Sequence, residues 1–266
     1  MPKLQLEDVK LHYIKEGAGG ETIVFSHGLL WSHKMFLDQI GFLKKSHTVI
    51  AYDHRGQGQS EVSAGSYDMD MLTEDALGLI KQLAGKPVHF VGLSMGGFVG
   101  MRLAARYPEM VKSLILIETS ANAEPVENLP KYKMLNGLVR WFGIIPAVAK
   151  SVMKIMFAQS WIENPKNEAL YKKWLSELKS NKKSITKSVD AVIYRKGIEE
   201  EIRTIKCPTM IVVGDEDVAT KPEKAKFIQM SIPNARLHIV QGAGHSSTVE
   251  KPQQINSLII DWLKGF

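Results

Sequence analysis

Hydrophobic and polar positions follow two rhythms along this chain. Residues 4–14 alternate closely enough to predict an opening antiparallel hairpin. Short apolar runs then recur at residues 22–25, 47–52, 88–91, 113–117, 209–213 and 236–240, each the length of a buried strand. Between them the spacing turns helical. Leu72, Ala76, Leu79, Ile80 and Leu83 share one face, residues 97–105 read as a helix, and another lies near residues 223–231. Ile255, Leu258, Ile259 and Trp262 mark a closing amphipathic helix. Strands alternating with helices predict an α/β chain with a mostly parallel central sheet and helices on both faces.

The rhythm breaks after Thr119. As far as residue 205 no strand pattern appears, only helical spacings such as Val148, Val152, Ile155 and Met156, punctuated by Pro125, Pro130, Pro146 and Pro165. The expected organisation is a core of residues 1–120 and 206–266 with an inserted helical cap over 121–205. Charge follows the same division. The net charge of +6 comes wholly from the insert, which has 15 Lys/Arg against 9 Asp/Glu, whereas the remainder has 19 of each. Basic residues scattered among polar ones describe a solvated helix face, and no nucleic-acid partner is expected. No run approaches the ~18 apolar residues of a membrane span. The N-terminus lacks a signal-like apolar stretch and the single cysteine, Cys207, excludes an internal disulfide, so a cytoplasmic home is expected. Oligomeric state is not legible.

The most informative residues are Gly92-Leu93-Ser94-Met95-Gly96. A bare G-x-S-x-G is a weak signal, but this one lies between a strand pattern and a helix pattern. That is the context of a nucleophile elbow, a strained turn that lifts the serine hydroxyl clear of the sheet. Other motifs follow in order. His27-Gly28 ends one strand run, and Asp53-His54-Arg55-Gly56-Gln57-Gly58-Gln59-Ser60 follows the next. Gly214-Asp215-Glu216-Asp217 and Gly244-His245 follow the last two. With these five ordered matches the chain resembles the α/β-hydrolase fold family over nearly its whole core. The resemblance implies the α/β-hydrolase fold. It is nearest to the small cofactor-free esterases, enol-lactone hydrolases, C–C bond hydrolases and perhydrolases.

A serine hydroxyl needs a base to become a nucleophile. His245 is the best placed of the eight histidines, in a glycine-flanked loop after a strand. The base needs a carboxylate to hold its tautomer. Among Asp215, Glu216 and Asp217 the family spacing G-x-x-D selects Asp217, with Asp215 as a turn former and Glu118 as an outside candidate. The oxyanion of the tetrahedral intermediate needs two N–H donors. Met95, directly after the nucleophile, and Leu29, after His27-Gly28, are the expected sources. For the substrate pocket the expected lining is Leu30, Trp31, Trp141, Phe142, Met156 and Phe157, although cap aromatics also serve simply to pack cap on core. Serine at the elbow, where dehalogenating and epoxide-opening relatives carry aspartate, points to acyl transfer. The expectation is an esterase for small or medium apolar acyl groups, needing no cofactor and no metal. The alternatives are a lactonase for enol-lactones or acyl homoserine lactones, a C–C bond hydrolase, and a triad-bearing ligand receptor.

Overall fold

In the computed structural model, which describes residues 2–266, eight strands form one sheet in the order β1-β2-β4-β3-β5-β6-β7-β8. β1 (Lys3–Gln5) and β2 (Lys10–Glu16) form the opening hairpin, and β2 runs antiparallel to β4 (Thr48–Tyr52). From there the sheet is parallel through β3 (Thr22–Ser26), β5 (Val88–Leu93), β6 (Val111–Ile117), β7 (Thr209–Gly214) and β8 (Arg236–Val240).

Parallel strands require crossover helices, and these cover both faces. On one face α2 (Met69–Leu83), α3 (Met95–Arg106) and α9 (Pro222–Ser231) pack Leu72, Leu79, Leu103 and Ile228 against Val24, Phe90 and Leu114. On the other, α1 (Leu37–Leu43) and α11 (Pro252–Leu263) pack Ile40, Ile255 and Ile259 against Phe25, Val91 and Ile115. Successive residues of β3, β5 and β6 thus serve opposite faces, which is why their runs are apolar throughout and not alternating. Each fully buried Leu, Ile or Phe contributes roughly 1.5–3 kcal/mol of transfer free energy.

Between β6 and β7 the chain is helical: α4 (Leu129–Phe142), α5 (Pro146–Met156), α6 (Gln159–Glu163), α7 (Glu168–Lys179) and α8 (Ile185–Ile193). Prolines open α4 and α5, where a missing N–H costs nothing. Asn136 of α4 donates to Asp190 and to the Thr186 carbonyl of α8, joining the pair. An aromatic cluster seats this segment on the core. Trp31 meets Trp174 edge-on at 5.2 Å and Phe157 at 6.1 Å, and Phe157 stacks on Trp161 at 4.7 Å. No helix among the described residues is long and apolar enough to cross a membrane.

Candidate active site

β5 ends at Leu93 and α3 begins at Met95, leaving Ser94 alone in the turn. Its backbone sits at φ 51°, ψ −110°, where a non-glycine residue stays only under constraint. The constraint is visible. The Ser94 N–H donates to the Ile117 carbonyl at 2.9 Å, and its own carbonyl accepts the Thr119 hydroxyl at 2.8 Å and the Gly97 N–H at 2.8 Å. The flanking glycines meet a steric demand. A Cβ at Gly96 would stand 2.0 Å from the Ser26 carbonyl oxygen, and one at Gly92 would stand 2.3 Å from that of Gly96.

The loops after β7 and β8 converge on this turn at the carboxyl ends of the strands. The Ser94 hydroxyl lies 2.8 Å from His245 Nε2, and His245 Nδ1 lies 2.9 Å from Asp217 Oδ2. All three side chains are buried. Burial pushes the Asp217 carboxyl up, but electrostatic attraction to His245 and hydrogen bonds from His245 and Thr220 outweigh it and hold the carboxyl below its usual range. The ionised Asp217 accepts the hydrogen bond from His245 Nδ1–H, which keeps the ring proton on Nδ1 and leaves the Nε2 lone pair facing the serine. Thr220, which the sequence did not single out, donates its hydroxyl and its N–H to Asp217 at 2.8 and 3.0 Å.

The three acids of one loop have three different tasks. Asp215 accepts the Gly242 N–H at 2.7 Å, tying the acid loop to the histidine loop. Glu216 turns the other way, to the N–H and hydroxyl of Ser160. Only Asp217 meets His245. Glu118, at the end of β6, makes no hydrogen bond to the histidine. Its carboxyl oxygens are buried without a hydrogen-bond partner, and burial, reinforced by the Asp217 charge, pushes its pKa well above the usual value.

Opposite the elbow, the loop after β3 is fixed by His27. Burial lowers its pKa to about 4, so the ring is neutral. Its Nδ1–H donates to the Gly28 carbonyl at 2.7 Å and its Nε2 accepts the His54 N–H at 3.0 Å. The Leu30 N–H is taken by Gln57 Oε1 at 2.8 Å, whereas none of the loop hydrogen bonds among the described residues uses the Leu29 N–H. Met95 is the first residue of α3, where N–H groups lack an intrahelical acceptor and the helix dipole is positive. Gln57 also reaches the Met95 sulfur at 3.7 Å and so spans both sides. Sequence reasoning passed over it because nothing in its type or spacing signals that bridge.

Ser94 and His245 open onto a cavity of about 190 Å³ lined mainly by aliphatic groups of the helical segment, among them Val148, Val152, Ile155 and Val189. Leu30 and Met156 face it. Four expected lining residues do not. Trp31 and Phe157 are buried in the aromatic cluster that seats the helical segment. Trp141 and Phe142, at the end of α4, are 76% and 69% exposed. The α4 face that meets the cavity carries Leu135, Asn136 and Val139 instead. One end of the cavity is polar, with Arg195 paired to Glu124 at 2.9 Å and Lys224 bonded to Asn122 at 3.1 Å.

A second buried cluster, His12, His33 and Asp53, has the donor types of a metal site. The hydrogen bonding argues otherwise. Asp53 accepts the backbone N–H groups of His33 and Gln59 at 2.8 Å and both histidine Nδ1 atoms, at 3.1 and 2.8 Å. Those imidazole nitrogens spend their protons on the carboxylate, so the cluster fastens the loops after β3 and β4.

A strained elbow serine, a histidine and a carboxylate on successive loops of a parallel sheet define a hydrolase of the α/β type. The sequence profile of the alpha/beta hydrolase fold matches residues 21–252, and the chain belongs to that family. It is similar to 3-oxoadipate enol-lactonase 2 of Acinetobacter baylyi, 27% identical over 99% of this chain and 96% of the relative. Its structure resembles that of the enol-lactonase of Burkholderia xenovorans LB400, with TM-score 0.91 and 27% identity over 99% of this chain and 100% of the other. A thermophilic esterase from Thermogutta terrifontis shares the fold at TM-score 0.92 and 23% identity, covering 100% and 99% of the two chains.

Proposed function

We propose that this protein is a serine hydrolase cleaving carboxylic esters of small to medium apolar acyl groups through an acyl-enzyme on Ser94. The observation that carries this reading is the unbroken chain from Ser94 Oγ through His245 to Asp217, beside an aliphatic cavity. In the first half-reaction Ser94 Oγ bonds to the ester carbonyl carbon and its proton passes to His245 Nε2. The carbonyl π pair moves onto oxygen, which the N–H groups of Leu29 and Met95 receive. As the tetrahedral intermediate collapses, the alkoxide leaves with the proton from Nε2. Water, deprotonated by the same nitrogen, then attacks the acyl-enzyme. The second tetrahedral intermediate collapses with cleavage of the acyl–Oγ bond, Ser94 Oγ takes back the proton from Nε2, and the acid is released. Asp217 holds Nδ1–H throughout and stabilises the imidazolium. An engineered apolar cavity of about 150 Å³ holds benzene, so 190 Å³ suits an acyl group of a few carbons.

A second reading, a lactonase, uses the same groups on a ring ester. Two observations favour it. Relatives at 27% identity are named enol-lactonases, and Lys224, which among the described residues makes no ion pair, lies at the cavity's polar end beside the Arg195–Glu124 pair. A pH-stat assay on matched open-chain esters and lactones of graded acyl length tests both. Ser94-dependent preference for esters supports the first reading, preference for lactones the second, and turnover that survives in Ser94→Ala overturns both.

A further inference from the structure

His245 must be held to within a fraction of an ångström of Ser94, yet its loop contains glycines on its N-terminal side and no regular structure until α10 (Ser247–Glu250). What fixes the loop is a carboxylate the sequence did not single out. Glu250 ends α10, turns back under the loop and is 8% exposed. Its Oε2 accepts the Gly244 N–H at 3.0 Å and its Oε1 the Ser246 N–H at 3.1 Å, so the carboxyl holds the residues on either side of His245. The same Oε2 accepts a third N–H, from Ala158 at 3.1 Å.

Ala158 belongs to the helical segment. It lies between the end of α5 and the start of α6, at φ −56°, ψ 140°, next to Phe157 of the aromatic cluster. The two backbones are in direct contact: a Cβ at Gly244 would stand 2.3 Å from the Ala158 nitrogen. Met156, two residues before Ala158, lines the cavity. One buried carboxylate therefore joins the histidine loop to the wall of the acyl cavity.

We propose that Glu250 is a positioning residue for His245, and that it couples the seating of the 157–161 segment over the cavity to the placement of the general base. This rests on the Ser94 hydrolase reading. The three bonds from backbone N–H groups engage both carboxyl oxygens, and each closes only when its loop is in place. When the helical segment lifts, Oε2 loses one donor and the His245 loop loses the wall it leans on. When an acyl group fills the cavity and seats the segment, the imidazole is locked toward Ser94. The site is thus most ordered when it holds a substrate of the right size.

Glu250→Gln tests this. The variant keeps the volume but puts an NH2 where one oxygen was, so at least one of the three N–H groups faces another donor. With a short-chain p-nitrophenyl ester, kcat should fall about tenfold while KM stays within about twofold, since misplacement of a catalytic group by a fraction of an ångström acts on the transition state. Amide exchange at Gly244, Ser246 and Ala158 should rise together in the same variant. Glu250→Asp, which keeps the charge on a shorter stem, gives the same reading if the Gln variant does not accumulate. A kcat within about twofold of wild type, a change confined to KM, or exchange rising at Ala158 alone would overturn the coupling. The exchange arm does not depend on turnover. If the wild type shows no Ser94-dependent hydrolysis, the proposed function fails while the structural coupling is still judged by exchange.

Discussion

Replacing Asp217 by Asn isolates the tautomer argument from the geometry. The carboxylate has four donors: the Ala219 and Thr220 N–H groups, the Thr220 hydroxyl and His245 Nδ1. An Asn oxygen at the Oδ1 position still accepts the two backbone N–H groups, which keeps the loop folded. The amide nitrogen then occupies the Oδ2 position, 2.9 Å from Nδ1, as a donor where an acceptor is required. His245 resolves the clash by moving its proton to Nε2, which removes the lone pair that accepts from Ser94. In a serine protease triad the corresponding wrong-tautomer change costs about 10⁴ in kcat, or about 5.5 kcal/mol of transition-state stabilisation. The same loss is expected here, with KM little changed and the far-ultraviolet circular dichroism unaltered. Glu118→Gln is the matched control. The Glu118 carboxyl has no bond to the histidine, so its isosteric amide should leave kcat within about threefold. The assay is steady-state hydrolysis of a chromogenic short-chain ester near neutral pH. Asp217→Asn keeping more than about a tenth of wild-type kcat, or Glu118→Gln falling as far as Asp217→Asn, would refute the assignment of the acid.

Ser94→Ala should abolish turnover and labelling by a fluorophosphonate while melting within a few degrees of wild type, because the elbow's backbone bonds do not involve the hydroxyl. Gly96→Ala should accumulate poorly or unfold several kcal/mol early in denaturant titrations, since its Cβ meets the backbone oxygen of Ser26. Burial, only partly offset by hydrogen bonds from Gly244, Ala158 and Ser246, pushes the Glu250 pKa up from 4.5 to about 7. Between those values the folded protein holds a proton that the unfolded chain has released, so stability falls as pH rises. Relative to Glu250→Gln, which does not titrate, the wild type should lose about 3 kcal/mol between pH 4.5 and pH 7.5, read by urea denaturation at several pH values. Met156→Trp should raise KM for longer acyl chains before it touches acetate esters. Trp141→Ala, by contrast, should leave the chain-length profile unchanged.

The fold and the strained turn at Ser94 were legible because their determinants are local. Strand length, helical spacing and the glycines around Ser94 are properties of short contiguous segments, and backbone crowding at an elbow demands the same residues wherever it occurs. His245 could be placed for the same reason, by a glycine loop directly after a strand. Asp215, Glu216 and Asp217 mark the limit of that reasoning. Family spacing favours Asp217, but the three are chemically alike, and their partners Gly242, Ser160 and His245 come from three different elements. The pocket was misread further. Which side of α4 meets the cavity depends on how α4 docks against α8, so a Trp-Phe pair that looks made for an apolar substrate points to solvent at Trp141 and Phe142. Trp31 and Phe157 went to packing because the helical segment has to be held on the core. Glu250 carries no motif at all. Its role exists only because the histidine loop and residue 158, far apart in the chain, bring three N–H groups to one buried carboxylate. Sequence alone determined which chemistry could be assembled, since that depends on residue type and local turn geometry. Tertiary structure decided which of several like residues performs it, because burial and hydrogen bonding between distant segments are set only when the chain has packed.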